Sequence, residues 1–305
     1  MAPYVGSAEY CYAHSAAMLL ASAGHRVDPA LFECVSGVGL GARWWIEAKE
    51  VYFSLRPPDL GTSDAFARLG YAVEESTGEP DFDALRDELE AAPLMIGPLD
   101  MGWLRYLPNA ELAHGADHYV LLVNLSGDQA RLHDPKGYPN VILSREHLSK
   151  AWEAEAVSYR RAPYRRWANP QQRAEPSLDR LREETIAVFR TIYREAAAEA
   201  RQRADVLLGP AAYEAAADHL RNGDANALLH LLKIFCLPLG ARRAHDLAAF
   251  LEPAAPALAE IKHDQALAFI DGYREALANE PRAVAASVLR IGELDAAFES
   301  ALDDH

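Results

Sequence analysis

A chain of 305 residues with 50% hydrophobic and 25% charged residues has the make-up of a soluble globular protein, long enough for one large domain or two ordinary ones. Its formal net charge of −15 argues against nucleic acid as a partner, since most of the surface repels phosphates, and favours a cationic ligand. The chain shows no basic n-region leading into an apolar h-region and no apolar run near the ~20 residues of a membrane span, so a cytoplasmic protein with no membrane partner is expected.

The first predicted element is a helix from about 11 to 24 in "EYCYAHSAAMLLASAG", with Cys11 at its N-terminus. A second short helix follows, then a loop marked by glycines 37, 39 and 41. That loop, "SGVGLG", lacks the lysine and the strand-to-helix context of a phosphate loop and reads as a tight pocket wall. "TSDAFARLGYAVEE" predicts a helix that begins after a Thr or Ser cap, ends at Gly70 and runs into a strand. "DFDALRDELEAA" is another helix, stopped by Pro93.

Strands come next. "PLMIGPLDMGWL" leads to "DHYVLLVNLSGDQARLHDPKGYP", where two apolar runs flank Ser-Gly-Asp as in a hairpin. "VILSREHLSKAW" gives a short strand and a helix capped at Ser144. Helices first and an antiparallel sheet second is the order of an α+β domain, here 1–167, and "WANPQQRAEPS" reads as a polar linker. From 177 to 305 no segment reads as a strand. Apolar residues recur every three or four positions, with breaks at Gly209-Pro210, Asn222-Gly223, 238–240 and Glu280-Pro281, so five or six helices form a second domain.

Three cysteines, Cys11, Cys34 and Cys236, with no CxxC spacing support neither a disulfide framework nor a zinc knuckle. Cys11 is either a core residue or a nucleophile. Its place at a helix N-terminus favours the thiolate through the macrodipole and the unpaired N–H groups, whereas buried thiols are common in cores. The hairpin supplies the partners. His118 enters one strand and Asp134 leaves its neighbour, so imidazole and carboxylate can meet at one edge of the sheet, the carboxylate orienting the imidazole as a nucleophile's base requires.

Cys, His and Asp in this order resemble the papain-like superfamily, in particular the bacteriocin-processing type of cysteine peptidase. "YCYAHSAAMLLASAG", "SGVGLGARWW", "GPLDMGWLRY", "GADHYVLLVN" and "LHDPKGYP" together resemble the butirosin-biosynthesis acyltransferase family, and "RRAHDLAAFLEPAAPALAEI" its helical C-terminal region. The resemblance implies a papain-like catalytic domain followed by a helical one. It also implies transfer of an acyl group from an acyl carrier protein thioester, through Cys11, to an amine, in natural-product biosynthesis. Cys11 would be the nucleophile, His118 the base and Asp134 the orienting acid, with no cofactor beyond the phosphopantetheine that belongs to the carrier. One position departs from the pattern: papain-like enzymes place a Gln about six residues before the Cys, and here that place is Val5. The Cys11 N–H can supply one oxyanion donor, and the side chains of Ser7, Tyr10 and Asn124 are candidates for the second.

Other residues carry two readings each. His14, on the Cys11 face of its helix, is an alternative base or a polar group on the pocket wall. Asp100 binds a cationic amine or is a buried hydrogen-bonded carboxylate. Arg160, Arg161, Arg165 and Arg166 form a basic island that docks an acidic carrier protein or lies on a solvated linker. His114, Asp117 and His118 in "HGADH" lack a second ligand cluster, so no metal is expected. Three functions remain open: an acyltransferase that makes amides from a small amine acceptor, a cysteine hydrolase with the same residues, and an inactive binding module.

Overall fold

The computed structural model describes residues 10–304. In chain order the elements are α1 (Cys11–Ser22), α2 (Pro29–Ser36), β1 (Arg43–Trp45), β2 (Glu50–Tyr52), α3 (Pro58–Arg68), β3 (Tyr71–Ser76), α4 (Phe82–Ala91), β4 (Leu94–Asp100), β5 (Asp117–Ser126) and β6 (Gln129–Asp134). They continue with β7 (Tyr138–Ser144), α5 (Arg145–Glu153), β8 (Arg166–Gln172), α6 (Leu178–Ala200), β9 (Val206–Leu208), α7 (Pro210–Asn222), α8 (Asn226–Leu231), α9 (Leu237–Leu251), α10 (Pro256–Leu277) and α11 (Pro281–Asp304). The protein is α+β, with antiparallel sheets and a helical C-terminal region.

The chain divides into two units, one of Met1–Phe32 with Pro58–Pro176, the other of Glu33–Pro57 with Ser177–His305. The expected domains, 1–167 and 177–305, differ from this in segment 33–57. Trp44, Val51 and Phe53 of that segment are buried in one apolar cluster with Tyr213, Leu237 and Phe269 of the helices, a long-range association that sequence order does not display.

In the first unit a six-stranded antiparallel sheet runs in the order β3-β8-β4-β5-β6-β7. Ser144 caps α5 by accepting from the His147 N–H at 3.3 Å, as the sequence suggests, and Asp81 caps α4 by accepting from the Asp83 N–H at 2.9 Å. The β5–β6 turn is the expected Gly127-Asp128, with Gly127 at φ +58, a conformation that suits glycine. Two expectations are corrected. α3 starts at Pro58, a residue pre-set for the first helical turn, rather than after a Thr or Ser cap. The supposed linker contains β8, whose Trp167 is buried and pairs with both Met95 and Glu75. Its polar outer residues imitate a loop because the strand extends past β4 and pairs there with β3 alone.

The second unit holds a small sheet, β2-β1-β9, and helices α6 to α11 among the described residues. β9 corrects the expectation of no strand after 177: three apolar residues carry no readable period, and pairing with Arg43 to Trp45 makes them a strand. The expected break at 238–240 is also absent. The chain runs from α8 through a π-helical turn, Leu232–Cys236, into α9, and Pro238 follows that turn directly without ending the helix. The glycine loop after α2 is held by Asp295, which accepts from the Gly41 N–H at 3.2 Å and from the Tyr193 hydroxyl at 2.7 Å. Among the described residues no single helix is long and apolar enough to cross a membrane.

Candidate functional site

The first unit brings Cys11, His118 and Asp134 together. α1 packs on β4, β5 and β8, and its interior residues 12–20 are buried, as its nearly unbroken run of small and apolar residues requires. Cys11 is the first helical residue and is partly exposed, so its sulfur sits at the end of the helix that carries unpaired N–H groups. The register Leu121↔His133 lays the end of β6 beside the start of β5, which places Asp134 alongside His118.

The distances are those of a connected chain of groups. His118 Nε2 lies 2.8 Å from Asp134 Oδ1, with His118 4% and Asp134 0% exposed. The Cys11 thiol lies beside the same imidazole, close enough to raise the proton affinity of His118. Burial works against a charge on His118, but Asp134 and the Cys11 sulfur outweigh it and raise its pKa from 6.5 to about 10. The imidazole therefore holds its proton at neutral pH. Burial alone would raise the Asp134 pKa; His118, the Lys136 N–H and the Tyr106 hydroxyl together hold it below the usual carboxylate value.

Sequence reasoning missed Tyr106. Its hydroxyl donates to Asp134 Oδ2 at 2.7 Å, while the Lys136 N–H donates to Oδ1 at 2.6 Å. Burial and the adjacent Asp134 push the phenol well above its ordinary pKa, so Tyr106 keeps its proton and acts as donor. The signal lay in "WLRYLP", a tyrosine between two core leucines, Leu104 and Leu107, but nothing local says what its hydroxyl meets.

The remaining candidates fall into place one by one. His14 is buried, and its ring stacks on Tyr10 at 6.4 Å between centroids. Tyr10 is 1% exposed and its side chain makes no capping bond to α1. Asn124 is corrected as an oxyanion donor: it is exposed and lies six residues beyond His118 on β5, roughly 20 Å away at the rise of an extended strand. Ser7 and Val5 lie outside the described residues.

Asp100 takes the second of its two readings. It is 2% exposed; Oδ1 accepts from the Gly102 and Gly115 N–H groups at 2.9 and 3.1 Å, and Oδ2 lies 3.1 Å from His114 Nδ1. The three residues considered for a metal turn to separate partners, His114 to Asp100, Asp117 to the Tyr159 hydroxyl at 2.7 Å, and His118 to Asp134.

The basic island is partly paired within the fold. Arg161 and Arg165 both pair with Asp59, which has no exposed side-chain surface, at 2.8 and 3.4 Å, and Arg165 also pairs with Glu75. Arg160 donates to the Glu153 carbonyl, and Arg166 is the first residue of β8. Two of the four cations thus fasten segment 153–166 to α3 and β3, although the Arg161 side chain stays exposed, so the segment is no solvated linker.

The family model of the YobF C-terminal domain matches residues 188–303. Over 304 residues, 98% of this chain and 97% of the relative, the sequence is 33% identical to a Bacillus subtilis (strain 168) protein named "Uncharacterized protein YobF".

Proposed function

The chain belongs to the YobF family, and we propose that it is a papain-like, cysteine-nucleophile acyltransferase that moves an acyl group from a thioester to an amine. One observation carries the reading: a buried imidazole bonded to the buried carboxylate of Asp134 sits beside the thiol at the start of α1. A core thiol has no need of either partner.

The reaction starts from the thiolate of Cys11 and the imidazolium of His118. Sulfur attacks the thioester carbonyl, the C–S bond to the donor breaks, and the departing thiolate takes the proton from His118. The now neutral His118 accepts a proton from the amine as its nitrogen attacks the acyl-enzyme; the bond to Cys11 breaks and the thiolate and imidazolium return. Thioester and amine become amide and thiol. The Cys11 N–H is one donor toward the oxyanion of both tetrahedral intermediates. Asp134 keeps the imidazole oriented and stabilises its charge.

An acyl carrier protein is the donor suggested by the resemblance to the butirosin-biosynthesis family, and a role in natural-product assembly follows from the same likeness. The net charge of −15 suits a cationic amine acceptor, and three free thiols suit a cytoplasmic setting. The test supplies acyl thioesters with and without a panel of amines. Amide formation at the expense of free acid supports transfer. Free acid released at one rate whether or not an amine is present makes the protein a hydrolase.

A further inference from the structure

We infer that Tyr106 is a positioning residue that acts on the Cys11–His118 pair through Asp134. The inference rests on the reading of that pair as the reactive centre and adds a fourth member to it.

Asp134 has two oxygens and three donors. His118 Nε2 and the Lys136 N–H occupy Oδ1, and the Tyr106 hydroxyl occupies Oδ2. The Lys136 bond is local, spanning two residues, and belongs to the turn that follows β6. Tyr106 comes from outside the hairpin and fixes the far oxygen. A carboxylate turns readily about its last torsion, so a bond at Oδ2 determines which way Oδ1 faces. With both oxygens bound, Oδ1 stays on His118 and the ring keeps its orientation beside Cys11. Without Tyr106, a buried oxygen loses its partner and the carboxylate is free to turn toward another.

The fold delivers this hydroxyl through a stiff connection. Asp100 ends β4 and caps the turn Met101–Trp103 by accepting from the Gly102 N–H. The same oxygen accepts from the Gly115 N–H, and the Met101 N–H donates to the Ala116 carbonyl at 2.9 Å. The turn that leads to Tyr106 is therefore tied to the residues that lead into His118. Leu104 and Leu107 are buried on either side of Tyr106, and the Tyr138 ring lies 6.0 Å away across from Asp134 in the β6–β7 register. Both ends of the Tyr106–Asp134–His118 chain thus have one anchor, Asp100.

The experiment follows alkylation of Cys11 by iodoacetamide against pH, read by peptide mass, in the intact protein and in Tyr106→Phe, Asp134→Asn, the double variant and His118→Ala. Loss of the phenol leaves Oδ2 without its partner and lets the carboxylate turn away from the imidazolium, so the acid limb of the Tyr106→Phe profile moves to higher pH and the rate at neutral pH falls roughly tenfold. Asp134→Asn falls further, and adding Tyr106→Phe to it changes nothing more, because the two act in series. A Tyr106→Phe profile that overlays the original, or losses that add in the double variant, overturns the inference even if the thermal midpoint drops. The His118→Ala arm separates the two ideas: alkylation unaffected by that change removes the reactive pair itself, whereas a response to His118→Ala with none to Tyr106→Phe removes Tyr106 alone.

Discussion

The Ser15 hydroxyl donates to the carbonyl oxygen of Tyr119 at 3.0 Å in the buried contact between α1 and β5. Ser15 lies one turn after Cys11 and Tyr119 lies one residue after His118, so this bond fixes the spacing of thiol and imidazole. Ser15→Ala is expected to leave the fold intact, to cost about 1 kcal/mol or somewhat more, and to slow Cys11 alkylation. Urea unfolding together with iodoacetamide kinetics checks both parts; an unchanged alkylation rate would mean that the helix docks correctly without the bond.

The three thiols differ sharply in setting. Cys11 is partly exposed beside His118, whereas Cys34 and Cys236 are buried and burial pushes the Cys236 thiol up. Iodoacetamide near neutral pH should therefore label Cys11 well before the other two, and His118→Ala should remove most of that lead. Equal labelling of all three in the folded protein would make Cys11 an ordinary core thiol.

Stability should depend on pH through His118 and Asp134. His118 titrates at about 10 in the folded chain against 6.5 for a free imidazole. Its contribution is complete below 6.5 and disappears as pH rises through about 10. Asp134 has the opposite sign: its folded pKa is held below 3.8, so its contribution is present above that value and is lost as pH falls through the lowered one. Thermal midpoints should decline on the alkaline side, and His118→Gln should flatten that decline. A variant with the same alkaline slope would assign it to other groups.

The Asp59 cluster predicts unequal roles for neighbouring arginines. Arg165 is 8% exposed in its side chain and faces an Asp59 with no exposure, so Arg165→Met should cost about 3–5 kcal/mol by leaving buried charge underpaired. Arg160→Ala removes a bond to one carbonyl and should cost under about 1 kcal/mol. Denaturant midpoints of the two variants give the comparison, and equal costs would contradict the buried network.

How much of this was legible depended on whether partners were close in sequence. His118 and Asp134 could be paired from sequence because one hairpin joins them, and the order of helix then hairpin suggested Cys11 beside them. Tyr106 could not, since its contact with Asp134 passes through a turn organised by Asp100 and not through any periodic pattern. Arg161 and Arg165 read as a free basic run because their acid, Asp59, is about a hundred residues earlier. β8 and β9 were hidden for a related reason: short or polar strands are specified by the neighbour they pair with, Tyr71 to Ser76 in one case and Arg43 to Trp45 in the other.

Asp134→Asn should preserve the fold while lowering acyl transfer by on the order of 10⁴, the loss expected when the carboxylate that orients the imidazole is neutralised. Activity with a short acyl thioester and an amine, measured beside the thermal midpoint, separates the two effects. Full activity in the Asn variant would reduce Asp134 to a turn residue.

Acylation of Cys11 is read most directly by intact-protein mass spectrometry after incubation with a panel of acyl thioesters. A single acyl adduct is expected that maps to Cys11, is absent in Cys11→Ala, forms far more slowly in His118→Ala, and is discharged by an amine. An adduct that persists in Cys11→Ala, or unmodified protein with every thioester under conditions where iodoacetamide reacts with Cys11, would contradict it.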